Sequence, residues 1–254
     1  MNRPKVIFYN GASVDGRIAV NRDSLLLYGD ERWKAIEGPD NFDVFQWLRL
    51  VHQPQATLEG SGSFVRDGEQ PGPLPLFEGD PAPLCQDYLP ENILNRPGHR
   101  GWFTAVDGRG RIRWYYKEYP DEQWQGWYPV VLVAGRTPPE YLAYLQREEI
   151  PYLVAGGSQV DLRQALEKMK SLLGVECLIS TGGGRLNGAM LRLGLIDEVD
   201  LVIHPGIIGG TDNPRLFESP ELGSSEMPTR LRLISALAQE GGRVWLRYEV
   251  ISSS

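Results

Sequence analysis

Hydrophobic and polar positions along the chain repeat with two periods. Short, nearly continuous apolar runs predict buried β-strands over residues 5–9, 56–59, 102–106, 130–134, 152–155, 175–180 and 199–204. Between them lie stretches of helical period. Asp43 precedes Val44, Phe45, Trp47, Leu48 and Val51, a capped helix that Pro54 follows. Residues 138–148 read as a helix with Pro at its start. Asp161 caps a stripe of Leu162, Ala165, Leu166, Met169 and Leu173 that stops at Gly174. A further helix runs over about 186–193 and ends at Gly194. Residues 230–236 and 243–251, around Gly241 and Gly242, form a last antiparallel pair. Residues 10–17 break the first strand with small and turn-forming side chains, and 20–32 read as a polar loop. Strand-helix alternation closed by a hairpin predicts an α/β fold: a mostly parallel central sheet, flanking helices and an antiparallel C-terminal hairpin.

Two segments interrupt this pattern. Seven of the nineteen prolines lie between about 67 and 100, which excludes long helices and inner strands there. Strand-like sequence resumes on both sides, so this is a surface excursion or lid within one domain spanning 1–254. Next come Trp114, Tyr115, Tyr116, Tyr119, Trp124, Trp127 and Tyr128. These rings either line a ligand pocket or cover a sheet edge or subunit interface.

Composition narrows the classes. The 254 residues, 41% apolar, suffice for a real core. No apolar stretch approaches the length of a membrane span, and residues 1–10 read as a strand and not as a signal peptide. A net charge of −7 argues against general nucleic-acid binding, while leaving room for a local phosphate pocket. Cys85 and Cys177 sit in unlike settings with neither a CxxC nor a Cys/His cluster, which suits reduced thiols in the cytoplasm. His52, His99 and His204 lie far apart in sequence, and no metal site is expected.

The chemistry concentrates in small-residue loops after strands. Ser180-Thr181-Gly182-Gly183-Gly184 carries the chain from a buried strand into a helix. The first N–H groups of such a helix lack internal partners, and glycines let a phosphate approach them. The run departs from GxGxxG, since Asn187 holds the third glycine position, and no P-loop Lys follows. A tight turn that needs glycine only for packing is the alternative. Gly11 to Gly16 and Gly60 to Ser63 are two more such loops, and in open α/β sheets ligands collect at these strand ends. A serine nucleophile at Ser13 or Ser63 is disfavoured, because neither lies in GxSxG and no histidine is placed as partner.

These residues resemble a known family. Gly11-Ala-Ser-Val-Asp-Gly-Arg-Ile-Ala19 is similar to the A-S-x-D-G-x-I-A opening of the RibD C-terminal, dihydrofolate-reductase-like family. Gly60-Ser-Gly-Ser-Phe-Val-Arg-Asp67 resembles its G-x-G-T-x-x-x-D. Gly182 to Gly188, Gly194-Leu-Ile-Asp-Glu198 and Pro205-Gly-Ile-Ile-Gly-Gly210 resemble its glycine-rich tail. The matches occur in order over roughly 5–250. The resemblance implies a dihydrofolate-reductase-like fold, a homodimer and NADPH as cofactor. It also implies hydride transfer to the ribosyl C1′ of a ribosylaminopyrimidine 5′-phosphate, as in the riboflavin-pathway reductases. Its cofactor positions carry over onto Gly11, Trp33, Ser63, Asp67, Gly183, Gly184, Arg185, Leu186 and Asn187, with Trp33 placed by the match of Gly29-Asp30-Glu31-Arg32-Trp33 to G-D-S-x-W. Ordinary core packing is the alternative for Trp33. Asp67 is a candidate for the proton path or a plain turn residue.

Departures fall on the substrate side. Tyr9 stands where many members carry Lys, Thr181 where they carry Glu, Ala35 for a Thr and Glu31 for a Ser. An Arg expected soon after Asp67 is absent, leaving Arg17, Arg32, Arg49 and Arg66 as local candidates for a substrate phosphate. Tyr9, Glu31 and Thr181 are the substrate-side candidates. The leading expectation is an NADPH-dependent reductase. A reductase of another small heterocycle or carbonyl compound, a non-catalytic NADP(H)-binding protein, and an interaction protein working through its aromatic segment are the alternatives.

Overall fold

The computed structural model describes residues 2–23, 30–38, 42–66, 68–115, 117–118 and 122–251. In chain order the elements are β1 Lys5–Ser13, α1 Glu31–Glu37, α2 Val44–His52, β2 Ala56–Gly60, α3 Glu91–Leu94, β3 Gly101–Val106, β4 Trp127–Val133 and α4 Pro139–Arg147. There follow β5 Tyr152–Val154, α5 Leu162–Leu173, β6 Cys177–Ser180, α6 Gly184–Arg192, β7 Glu198–His204, β8 Arg230–Ala238 and β9 Val244–Ile251. Contacts divide the chain into two compact units. One comprises Met1–Pro4, Pro54–Ser61 and Gly68–Leu178, the other Lys5–Gln53, Gly62–Asp67 and Ile179–Ser254, so β6 straddles the division.

The first unit carries the parallel strand order β5-β4-β3-β2. Its strands are buried on both faces, with Val130, Val131, Leu132 and Val133 all fully inaccessible, as a parallel sheet requires. α5 forms as the sequence predicts. The Asp161 carboxylate accepts the Gln164 N–H, Leu162, Ala165, Leu166 and Met169 are buried, and Gly174 closes the helix at φ 67°. The cap contributes about 1 kcal/mol and each buried Leu or Met about 1.5–3 kcal/mol. The proline-rich excursion is bound down and does not stand free. Tyr88 exchanges backbone hydrogen bonds with Tyr152, while Leu84 and Ile93 are buried. The Tyr152 hydroxyl donates to the Leu84 carbonyl at 2.7 Å. The aromatic segment is largely packing. Trp127 is buried, Trp124 meets Phe103 and Trp127 edge-on, and the Trp114 N–H groups donate to the Tyr144 and Tyr141 hydroxyls. Tyr115 is exposed, and Tyr116 and Tyr119 lie outside the described residues.

The second unit has the order β6-β1-β7-β9-β8, with β1 parallel to β7 and β9 antiparallel to both β7 and β8. The mostly parallel sheet with its antiparallel C-terminal pair is therefore as expected. Three local expectations need correction. β1 does not stop at Tyr9: Asn10 to Ser13 continue in register with β7, pairing Gly11 with Val202 and Ser13 with His204. These are weak strand formers, and the β7 ladder carries them. Within the segment read as a loop over 20–32, Glu31 begins α1, which Asp30 caps by accepting the Arg32 N–H. α6 begins at Gly184, two residues before its expected start.

Candidate functional site

Gly11, Trp33, Ser63 and the 183–187 run all lie in the second unit, as do Tyr9, Glu31 and Thr181. The register of β1 and β7 explains part of the gathering. Tyr9, Gly11 and Ser13 alternate onto one face and pair with Asp200, Val202 and His204. At the C-terminal ends of these parallel strands the His204 imidazole is buried and meets the Trp33 indole edge-on, with ring centroids 5.7 Å apart. Gly11 is small for a reason visible here: a Cβ on it would sit 2.7 Å from His204 Nε2 and 3.8 Å from Trp33 Cζ2. Trp33 is half-buried, on a helix that has no fully buried residue, so it is not core.

The turn into α6 lies against the same strand. The Asn10 side-chain amide donates to the Gly182 carbonyl at 3.2 Å, and the Asn187 amide donates to it at 2.7 Å and to the Leu216 carbonyl at 3.1 Å. Asn187 is thus a buried strap across the turn. Gly183 occupies the cap position of α6 without a side-chain cap, and a helix start of this kind is a place where an anion can be received. Gly184 has a packing task of its own: a Cβ there would fall 2.2 Å from the Arg215 carbonyl oxygen, and its own carbonyl accepts the Glu218 N–H at 2.8 Å. Arg185 is exposed and Leu186 half-buried.

Asp15 ties the loop after β7 to the turn after β1. Its carboxylate accepts the Ser13 hydroxyl at 2.6 Å and the Ile208 and Gly209 N–H groups at 3.1 and 2.8 Å. The Ser13 hydroxyl, with the two backbone donors, holds this carboxyl well below the usual carboxylate range against a smaller opposing effect of burial. That loop follows His204 directly, so Asp15 positions the strand end that carries the imidazole.

The remaining candidates divide. Ser63 is buried in the short turn 61–63. Tyr9 is half-buried against Phe45, at 5.6 Å between rings. Thr181 is half-buried after β6. Glu31 faces solvent in an ion pair with Lys34 at 2.7 Å. Asp67 lies outside the described residues. Of the arginines, Arg32 is held by Asp30, Arg17 donates to the Asn213 carbonyl, Arg66 to the Asp23 carbonyl, and Arg49 lies 6.0 Å from the Phe45 ring.

Beside Tyr9 on the same sheet face lies a buried charge cluster that sequence reasoning missed. Asp200 is fully buried and accepts the Trp245 indole N–H at 2.9 Å and Arg247 Nε at 3.1 Å. Glu198 is held by Lys5 at 2.8 Å and by Arg247 at 2.5 Å. Arg247 also lies over the Trp47 ring at 4.7 Å. Burial pushes the Asp200 carboxyl up, to about 7, and the neighbouring Glu198 adds to that. Burial pushes Glu198 up too, but its hydrogen bonds from Lys5 and Arg247 outweigh this and hold it below its ordinary value. The clue in the sequence was period 2: Glu198 and Asp200 on β7, with Trp245, Arg247 and Glu249 on β9.

The chain is similar in sequence to proteins named as reductases. A 2,5-diamino-6-ribosylamino-4(3H)-pyrimidinone 5′-phosphate reductase from Methanothermobacter thermautotrophicus is 29% identical over 232 residues, covering 91% of this chain and 90% of that protein. A reductase of the same name from Aquifex aeolicus is 22% identical over 264 residues, covering 99% of each. A pyrimidine reductase-like protein from Corynebacterium diphtheriae shares the fold, with a TM-score of 0.64 at 19% identity over 99% of this chain and 94% of that one. Residues 122–244 match the RibD C-terminal domain.

Proposed function

We propose that this chain is an NADPH-dependent reductase that reduces a ribosylaminopyrimidine 5′-phosphate at the ribosyl C1′, and that it works as a cytoplasmic homodimer. The observation that carries the reading is the meeting, within one unit, of the end of β1 with the end of β7, α1 and the turn into α6: Gly11 against His204 and Trp33, and Asn10 tied to the Gly182 turn. The name of the Methanothermobacter relative, similar over 91% of this chain, supplies the substrate class.

The residues suit a dinucleotide. The first turn of α6 offers backbone N–H groups to a pyrophosphate, with Gly183 leaving room for its approach and Arg185 exposed beside it. Trp33 offers a flat aromatic face. Bound NADPH supplies the hydride, and the protein supplies orientation and exclusion of water. Gly11 keeps the β1 backbone low, Asn187 fixes the turn, and Asp15 fixes the strand end bearing His204. Ser63 and Asp67 are assigned to the cofactor side, and Tyr9 and Thr181 to the substrate side. Glu31 points to solvent in its ion pair with Lys34 and is given no part in the site.

Titration with NADPH and then NADH, followed by tryptophan fluorescence and thermal melting, tests the cofactor assignment. At a hundred-fold excess over Kd, binding adds about 2.7 kcal/mol, or roughly 5–10 °C for a chain of this size. Selective stabilisation by NADPH is the expected result. No response to either nucleotide overturns the reductase reading and leaves the glycine run a packing feature.

A further inference from the structure

We propose that His204 is the acid of the reduction, the side chain that hands a proton to the oxygen released when the ribosyl C1′ is reduced. The proposal rests on the reductase reading above and adds to it the group that completes the chemistry.

The reaction has one requirement that a hydride source does not meet. C1′ gains two electrons from NADPH, the C1′–O4′ bond breaks with its electron pair on O4′, and that oxygen needs a proton. A positioned acid that supplies it contributes about 10²–10⁴ in rate. His204 then recovers a proton from water.

His204 stands where such an acid is needed. It pairs with Ser13 at the end of the parallel ladder, on the face that Gly11 leaves bare of a side chain. Its Nε2 lies 2.7 Å from the place a Gly11 Cβ would take, so the imidazole itself occupies that space over the β1 backbone. Trp33 meets the ring edge-on at 5.7 Å between centroids. Gly11 and Trp33 are both cofactor-side candidates. Reacting atoms in such a transfer lie about 3–3.5 Å apart, so a ring in contact with both residues is within reach of the departing oxygen, directly or through one water.

The strand end is built to keep the ring there. The Gly206 N–H donates to the His204 carbonyl at 2.8 Å, and the Val14 N–H to the Gly206 carbonyl at 2.9 Å. A Cβ on Gly206 would fall 2.4 Å from Ile36 Cγ2, so α1 bears directly on this loop. Asp15 pins the loop further on, through Ile208 and Gly209. A residue that only filled space beside Trp33 would be apolar, as Val202 is two places earlier on the same face. Burying an imidazole carries a desolvation cost that an apolar side chain avoids.

The other titratable groups described around it are worse placed. The Ser13 hydroxyl and two backbone donors hold the Asp15 carboxyl ionised, with no proton to give. Glu31 faces solvent with Lys34. Tyr9 lies two positions back along β1, against Phe45. Asp200 lies four positions back along β7, about 13 Å by strand rise. The charged neighbours on the elements packed around His204 are Asp15 after β1, the Asp30–Arg32 and Glu31–Lys34 pairs of α1, and Arg243, buried just before β9. Among these groups only an imidazole ordinarily takes and gives a proton near neutral pH.

Kinetics and binding of His204→Gln against the wild type test the proposal. The variant should lose about 10²–10⁴-fold in kcat while its Kd for NADPH stays within about three-fold, and its pH profile should lack the alkaline fall of the wild type. Imidazole added to His204→Ala should restore part of the rate. Turnover by His204→Gln within about ten-fold of wild type, with the same pH profile, overturns the proposal and leaves the reductase reading standing. A wild type that binds NADPH but reduces no ribosylaminopyrimidine 5′-phosphate overturns both. Should the His204 variants fail to fold, proton NMR of the otherwise intact chain decides. It has three histidines, so His52→Gln and His99→Gln assign the His204 imidazole by elimination. Saturating NADPH should shift that resonance, and its titration midpoint should match the kinetic one. A resonance indifferent to NADPH overturns the proposal.

Discussion

Replacing Gly11 by Ala tests why the first strand is glycine at its most crowded point. The new Cβ would lie 2.7 Å from His204 Nε2 and 3.2 Å from Cδ2, where ordinary contact begins at about 3.4 Å, so the imidazole must retreat by roughly 0.7 Å. His204 is buried and lies against the edge of Trp33, so it has little room to move. Overpacking of this kind costs about 1–3 kcal/mol, which lowers the Tm by roughly 2–12 °C for a chain of this length. The same displacement moves Trp33 and should weaken NADPH binding. The assay is a double-mutant cycle read by thermal and denaturant unfolding: wild type, Gly11→Ala, His204→Ala and both. Once the imidazole is gone, the methyl group has space, so the cost of Gly11→Ala should fall below about 0.5 kcal/mol in the His204→Ala background. An unchanged cost would refute the steric argument, and Gly11 would then owe its place to something other than His204.

Three further outcomes follow from the same geometry. Asp15→Asn keeps an acceptor for Ser13 but removes the charge that binds two backbone N–H groups, and should cost about 1–2 kcal/mol by urea unfolding. Because this carboxyl is depressed in the folded state, the stability it supplies is present above its unfolded pKa and is lost as pH falls below about 4. Asp200 has the opposite sign. Raised by burial to about 7, it keeps its proton in the folded state after the unfolded chain has lost it, so its contribution falls as pH rises from about 4 to 7. Asp200→Asn should flatten the melting temperature across that window, and an unchanged slope would assign the titration elsewhere. Gly188→Ala places a Cβ 2.2 Å from the Glu218 carbonyl oxygen, so it should lose about 2 kcal/mol despite the better helix propensity of Ala, as chemical denaturation would show.

The sequence was most legible where local chemistry decides structure. α5 announces itself by Asp161, a stripe of helical period and Gly174, and each does in the structure what its type implies. The final hairpin and the buried parallel strands were readable from period and composition. α1 was missed because seven residues with only Trp33 and Ile36 as large apolar side chains make no stripe, although Asp30 and Gly38 bracket it. The end of β1 was read as a break because Asn10, Gly11, Ala12 and Ser13 favour strand only when β7 supplies the ladder. The site was legible as a set of loops and illegible as a geometry. Nothing local tells that His204 stands over Gly11, or that Asp200 shares a sheet face with Tyr9, because strand register makes both meetings. The double use of the glycine run was also hidden. Gly184 yields space to the Arg215 backbone, a contact with a segment some thirty residues on.

The central claim is the reaction, and the most direct measurement is turnover. Purified protein with NADPH and 2,5-diamino-6-ribosylamino-4(3H)-pyrimidinone 5′-phosphate should consume the cofactor and yield the ribityl product in equal amounts. Slower turnover with the phosphate-free analogue would show that the phosphate is recognised. Tight NADPH binding with no oxidation in the presence of this substrate would contradict the account and leave a cofactor-binding protein of the same fold.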